Sequence, residues 1–355
     1  MPSRTRWRKP IMPSTSSPPD PIPTGEAITA AFAGRRVAVL GGLGFIGSAA
    51  VLRLIELGAQ VTVVDGLLEG FGGDRHNLPE TLPDGEIHIV DVREDGLEEI
   101  LAGAEVVINT VGQVSHQRSI TDPIGDLEAN CRAQIHILEA CRRISPPVVV
   151  YAGTRQIYGR APELPITEAV PAAPVDINGV NKYTGEEYHR IYHEVHGLPT
   201  VRLRLTNTYG PRQSLEVGSS QGVVPTFIRR ALHGEPLRVY GHGRQRRDIT
   251  HVDDVIGAIL AVASTSETNG HVYNLGSDRP ISVGVLAEAI AAETGVQMEY
   301  IAYPDELKSI EIGDSWSSYD RLQLATGWRP RVGFASGIAA TIEFYRRHPE
   351  YWRGG

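Results

Sequence analysis

A chain of 355 residues, 41% of them hydrophobic, is long enough for one large α/β domain with a smaller appended lobe. Its net charge of −8, with no basic block beyond the N-terminus, excludes nucleic acid as an expected partner. No apolar run approaches the roughly 20 residues that span a bilayer, so a cytoplasmic protein with no membrane partner is expected.

Residues 1–30 read as a disordered leader, rich in Pro, Ser and Thr, with Arg4, Arg6, Arg8 and Lys9 near its start. The first element is the apolar run Val37–Leu40, which turns on Gly41, Gly44 and Gly47 into an amphipathic segment ending near Leu57. This pattern predicts strand, phosphate-cradling turn and helix, with backbone near Gly44, Phe45 and Ile46 approaching a pyrophosphate at the positive helix end. A second apolar run, Val61–Val64, ends in Asp65, whose carboxylate suits both adenosine ribose hydroxyls and repels a 2′-phosphate. NAD is therefore favoured over NADP.

The glycine-rich stretch from Gly70 to Leu78 reads as a loop with at most a short helix. A third strand, Glu86–Val90, delivers Asp91 and Val92 to the carboxyl edge of the sheet, where Asp91 either accepts from an adenine amino group or is a solvated turn residue. Glu105–Val111 is a fourth strand, and the loop after it, with His116, falls where ligands bind in open α/β sheets. Asp122 to about Arg143 reads as one long helix. Its Cys131 and Cys141 lie about 15 Å apart along such a helix, too far for a disulfide.

Val148–Ala152 is a fifth strand opening into Gly153–Gly159; a helix spans about Asn178 to His196, and Val201–Leu205 is a sixth strand. Beyond it lie helices at Val223–Leu232, Val252–Ala263 and Val283–Glu293, with short strands at Leu237–Tyr240, His271–Leu275 and Glu299–Tyr303. The expected architecture is α/β: a Rossmann-type doubly wound parallel sheet over residues 31–205, and a smaller C-terminal lobe over 206–355, from which some elements return to the sheet. No Cys/His cluster or strand-to-helix serine elbow supports a metal or a hydrolase.

With these segments placed, the chain resembles the extended short-chain dehydrogenase/reductase family, specifically NAD-dependent nucleotide-sugar epimerases and dehydratases of the UDP-glucose 4-epimerase kind. The resemblance runs from about Arg35 to Tyr345. It is carried by Gly41–Gly47, Asp65, Asp91-Val92, Thr154 four residues before Tyr158-Gly159, Asn178–Lys182, Arg204–Pro211, Tyr240–Asp248, Val252–Val255 and Thr326–Pro330. It implies a tightly held NAD that transiently oxidises a sugar, usually at C4. The resulting ketone acidifies neighbouring C–H bonds, so one scaffold supports epimerisation, dehydration or decarboxylation. It also implies that Thr154 hydrogen-bonds the reacting oxygen and that Lys182 binds the nicotinamide ribose.

In the family, a Tyr four residues before that Lys acts as the general base, and here the position holds Asn178. Residues i and i+4 share a helix face, so Asn178 is expected where the phenol would be, and an amide takes up no proton at neutral pH. Three readings compete. His116 supplies the base, since imidazole titrates near neutrality; water or Lys182 carries the proton; or the chain is a non-catalytic or weakly active partner subunit that binds NAD and nucleotide sugar.

For the nucleotide-diphosphate sugar the resemblance points to Asn207, to Val224 within Val223–Phe227, and to Arg247, whose planar fork suits a diphosphate. Near Gly313-Asp314 the second diphosphate-binding Arg of many relatives is absent or replaced by Lys308. The helices Asp122–Arg143 and Asn178–His196 are the pair that meets across a dimer in the family, so a homodimer is expected.

Overall fold

The structure is a computed structural model, and it describes residues 26–82, 85–145, 147–215, 222–304 and 311–352. Six β-rich, largely apolar runs form the strands β1 (Arg36–Leu40), β2 (Gln60–Asp65), β3 (Gly85–Ile89), β4 (Val106–Asn109), β5 (Val148–Thr154) and β6 (Thr200–Leu205). They pair in parallel in the order β3-β2-β1-β4-β5-β6, and a seventh strand, Val272–Asn274, adds in parallel to β6. The order reverses between β1 and β4, which opens a crevice at their carboxyl ends.

Helices cover both faces. Phe45–Glu56 and Val252–Ala263 share one core with Phe32, Leu322 and Trp328, while the opposite face is closed by Leu97–Ile100, Ala133–Arg143 and Ile177–His196. A buried ion pair, Arg204 on β6 to Glu186 of the last helix at 2.6 Å, locks that helix to the sheet. Val252–Ala263 and Val272–Asn274 thus pack on or pair with the sheet from beyond residue 205.

The lobe has its own core, built from Val223–Leu232, Val283–Thr294, Phe334–Arg347 and the parallel strands Leu237–Tyr240 and Met298–Ile301. Short ladders, Asn207–Tyr209 with Ile249–His251 and Arg246–Arg247 with Ile281–Ser282, join the lobe to the sheet edge.

Three expectations change. The leader expected over 1–30 falls outside the described residues up to residue 25, and the remainder joins the helix Glu26–Phe32, because Phe32 is buried in the first core. His116 does not sit in a loop but opens a short helix, His116–Thr121, whose start is capped by Ser115 accepting from the Arg118 amide. The long helix is interrupted, running as Pro123–Leu127, a π-turn at Glu128–Arg132, and Ala133–Arg143. Single π-turns accompany functional sites.

The β1 turn is sterically tight. Gly41 has φ +74, and a Cβ on Gly47 would overlap the Gly41 carbonyl, so helix and strand approach at backbone distance. A Cβ on Gly44 would meet Gly41 O at 3.2 Å, a tight contact relieved by a shift of a few tenths of an ångström. Gly47→Ala is accordingly expected to cost about 3 kcal/mol in urea denaturation, and Gly44→Ala less than about 1 kcal/mol. Equal costs for the two would contradict the packing described.

Candidate functional site

Two connected cavities follow the crevice, sharing Gly41, Gly44, Phe71, Thr110 and Gly112. The narrower is lined by Asp65, Leu68, Asp91, Val92 and Arg93. Asp65 Oδ2 accepts from the Leu43 amide at 2.9 Å and Oδ1 from the Leu67 amide at 2.8 Å, and burial pushes its carboxyl above the usual value against the pull of these amides. Its fixed position at the end of β2 leaves lone pairs for a diol. Asp91 is already engaged, since Arg93 grips both its oxygens at 2.5–3.1 Å and holds its pKa down.

The helix after the turn starts at Phe45 with Gly44 as N-cap and no side-chain cap, so the amides of Phe45 and Ile46 are left for an anion. A side-chain-free cradle, uncapped helix amides and a ribose-directed carboxylate on the neighbouring strand together fit a dinucleotide.

The wider cavity, about 370 Å³, falls in the size range of small-molecule sites and holds Thr154, Lys182 and His116 on its wall. Lys182 is 5% exposed; burial pulls its ammonium down to about 8, with Asp126 and Cys131 opposing. Its Nζ packs against Gly112, beside Asn130 Oδ1.

Asn178 departs from expectation. It is 0% exposed and does not line the cavity. Its Nδ2 donates to the Gln113 carbonyl at 3.0 Å, to Gln113 Oε1 at 3.1 Å and to Asp126 Oδ2 at 2.8 Å. Asp126 Oδ1 accepts from Asn181 at 2.7 Å and Asn130 at 3.1 Å. The residue four before the lysine is therefore one corner of an amide cage around a buried carboxylate, beneath the cavity floor.

His116 does face the cavity. Its Nδ1 bonds to Asp176 Oδ2, and the Gln156 amide nitrogen lies at the ring edge between the two imidazole nitrogens, 2.7 Å from Nε2 and 2.8 Å from Nδ1. Asp176 is also the N-cap of Ile177–His196, accepting from the Gly179 amide at 2.7 Å. Burial raises the Asp176 carboxyl, but the bonds from His116 and Gly179 outweigh it and hold it below the usual range. Thr154 accepts from the Gln156 amide at 3.2 Å, and its hydroxyl lies 3.4 Å from Gln156 Oε1, so Thr154, Gln156, His116 and Asp176 form one connected series.

Sequence reasoning missed Asp176, Gln156, Arg155, Asp126 and Asn130. Two signals were present: an Asp immediately before the helix start, and Asp126, Asn130 and Gln134 at successive i, i+4 positions beside the apolar face of the segment. Arg155 stands on the cavity wall beside Thr154.

On the lobe side, Asn207 and Val224 line the cavity as expected. Arg247 does not: its guanidinium is committed to Glu311 at 2.8 Å and to the carbonyls of Arg246 and Gly313. The acidic Glu311, two residues before Gly313-Asp314, captures the fork. Lys308 lies outside the described residues.

The sequence profile of the NAD dependent epimerase/dehydratase family matches residues 37–276. A UDP-glucose 4-epimerase of Mycolicibacterium smegmatis is 31% identical over 314 residues, covering 88% of this chain and 98% of its own. A dTDP-glucose 4,6-dehydratase of an Actinoplanes species is 31% identical over 327 residues, covering 89% and 99%. Among solved structures, UDP-glucose 4-epimerase of Thermotoga maritima with UDP-glucose superposes with TM-score 0.81 at 29% identity, covering 88% of this chain and 99% of that one.

Lys182 provides a test of the buried site. Above about pH 8 the folded chain sheds its proton, whereas an unfolded lysine keeps it to about 10.5, so stability contributed by this residue rises with pH across that window. The stability of the wild type relative to Lys182→Met, from urea denaturation, is expected to grow by up to about 3 kcal/mol between about pH 8 and 10. A pH-independent difference would refute the buried, depressed ammonium.

Proposed function

The chain belongs to the NAD dependent epimerase/dehydratase family, and from that premise we propose that it is a nucleotide-sugar epimerase whose proton-transfer group is His116, held by Asp176. When bound, NAD supplies transient oxidation of the sugar, in the family usually at C4. Gly44, Phe45, Ile46, Asp65, Asp91, Val92 and Lys182 would hold it.

The observation that carries the reading is the sealing of Asn178 below the floor while His116 stands on the wall with Thr154 and Lys182. With Nδ1 donating to Asp176, the imidazole keeps Nε2 as its acceptor. Thr154 orients the sugar hydroxyl, whose proton passes to Nε2 and later returns; the hydroxyl takes the place that Gln156 occupies on that nitrogen. Asp176 stabilises the imidazolium formed in between, as a carboxylate beside an imidazole does.

Epimerisation is the reading taken because it needs no second acid. With His116 engaged on the oxidised hydroxyl and Lys182 assigned to the cofactor, the described lining residues offer no carboxyl group to protonate a departing hydroxyl as dehydration would require, and Arg155 does not release a proton near neutrality.

We also infer a homodimer. Ile120, Ile124 and Leu127 lead one exposed apolar stripe, and Val180, Ile191 and Val195 another on the adjacent helix, with Ile124 68% and Val195 67% exposed. Adjacent apolar stripes on two packed helices suit a second copy of the same surface.

Epimer interconversion by the NAD-loaded protein is the assay. His116→Ala is expected to lower turnover by about 10²–10⁴ and Asp176→Asn by a smaller factor, while Asn178→Tyr gives no gain because the cage loses its donors. Undiminished turnover in His116→Ala, or a gain in Asn178→Tyr, would reject the assignment. Ile124→Asp combined with Val195→Asp is expected to sediment as a monomer; an unchanged sedimentation coefficient would reject the dimer surface.

A further inference from the structure

Arg155 is the ionisable wall residue that the reading above leaves without a task. Among the described lining residues of the wider cavity, the side chains able to carry positive charge are His116, Arg155 and Lys182, and none is a carboxylate; Asp176 and Asp126 answer His116 and Lys182 from behind the wall. The guanidinium donates to Ser315 Oγ at 3.2 Å and Asn207 Oδ1 at 3.4 Å, two neutral oxygens at long range. The charges around it are Asp248, Arg247 and Glu311. Asp248, the foremost of these, is fully buried with Oδ2 bound to the Ser317 amide and Oδ1 without a hydrogen-bond partner, so it offsets the Arg155 charge through space without bonding the fork, and Arg247 and Glu311 are paired with each other. A planar fork facing a cavity and held by weak neutral acceptors is suited to a carboxylate, which it can bind through two parallel bonds.

The position of Arg155 says where that carboxylate belongs. Its backbone directly follows Thr154 at the reacting end of the cavity, and its guanidinium reaches from there to Asn207 and Ser315, so the fork lies along the wall between Thr154 and the lobe. Consecutive residues are about 3.8 Å apart along the chain. On a hexopyranose ring the substituent vicinal to the C4 oxygen on the C5 side is C6, so a hydroxyl held by Thr154 brings a C6 group to Arg155. We propose that Arg155 is a specificity residue for a sugar carboxylate, and that the substrates are nucleotide-linked hexuronates. The proposal rests on the assignment of Thr154 and His116 to the reacting hydroxyl. Asn207, bonded to the same guanidinium, is the residue that the family resemblance assigns to the nucleotide, so the test must separate a sugar carboxylate from a diphosphate.

Calorimetric titration of the NAD-loaded protein with pairs differing only at C6 makes that separation: UDP-glucose with UDP-glucuronate, and GDP-mannose with GDP-mannuronate, with UDP and GDP alone as references. In at least one pair the acid is expected to bind about ten-fold or more tightly than its neutral partner, the size of a charge-assisted bidentate contact. Arg155→Gln is expected to remove the preference while changing affinity for the neutral sugar and free nucleotide by less than about three-fold, and Arg155→Lys to retain part of it. Absence of a preference in both pairs of the wild type overturns the proposal without reference to any variant. So does an Arg155→Gln that weakens free nucleotide, neutral sugar and acid alike, which would make Arg155 a diphosphate anchor. Reduced-cofactor absorbance on adding each sugar reads the catalytic assignment separately: an Arg155-dependent acid preference with no such absorbance sinks that assignment and keeps this one.

Discussion

A single buried carboxylate organises the site. Asp126 is 1% exposed and accepts from the amides of Asn130, Asn178 and Asn181, with the Lys182 ammonium acting on it through space. An unpaired carboxylate in that position would carry a desolvation cost of several kcal/mol. The three donors come from two different helical segments, so satisfying Asp126 fixes those segments relative to each other. The π-turn at Glu128–Arg132 contains Asn130, whose Oδ1 in turn accepts from the Gln113 amide at 3.1 Å. The loop after β4, the interrupted helix and the helix bearing Lys182 are thereby tied into one rigid corner.

That corner explains the residue at position 178. A phenol offers one O–H donor, whereas the Asn178 amide nitrogen bonds to both Gln113 and Asp126. Its own Oδ1 is left with no hydrogen-bond partner. The cage tolerates one unmet acceptor in exchange for a satisfied carboxylate, which fits the greater cost of stranding a charge than a neutral oxygen.

The sequence made the scaffold legible wherever burial imposes a pattern. β1, β2, β4 and β5 are largely apolar runs because both faces of a parallel sheet are covered, and the glycine turn and Asp65 follow from close backbone approach. Ladders of two or three residues, such as Arg246–Arg247 with Ile281–Ser282, carry no such pattern and were not legible. The site divides the same way. Helical spacing places Asn178 and Lys182 on one face but says nothing about depth along it, so Lys182 reaches the cavity while Asn178 ends beneath it. Arg247 was misplaced because its partner, Glu311, is 64 residues away in sequence; long-range ion pairing leaves no local trace.

The helix Ile177–His196 keeps its place in the chemistry by another route. Asp176 caps its N-terminus and, through its other oxygen, fixes the His116 ring. Six residues on, about 9 Å along the axis, the same helix presents Lys182. Proton-transfer group and cofactor-side cation are therefore referenced to one rigid element, as they would be if both were helix residues, although the imidazole belongs to a separate segment. An imidazole delivered from outside the helix leaves position 178 available for the cage, and its bond to the N-cap ties its orientation to the folding of the helix. Loss of the Asp176 carboxylate would thus loosen the ring and fray the first turn together, because one side chain serves both.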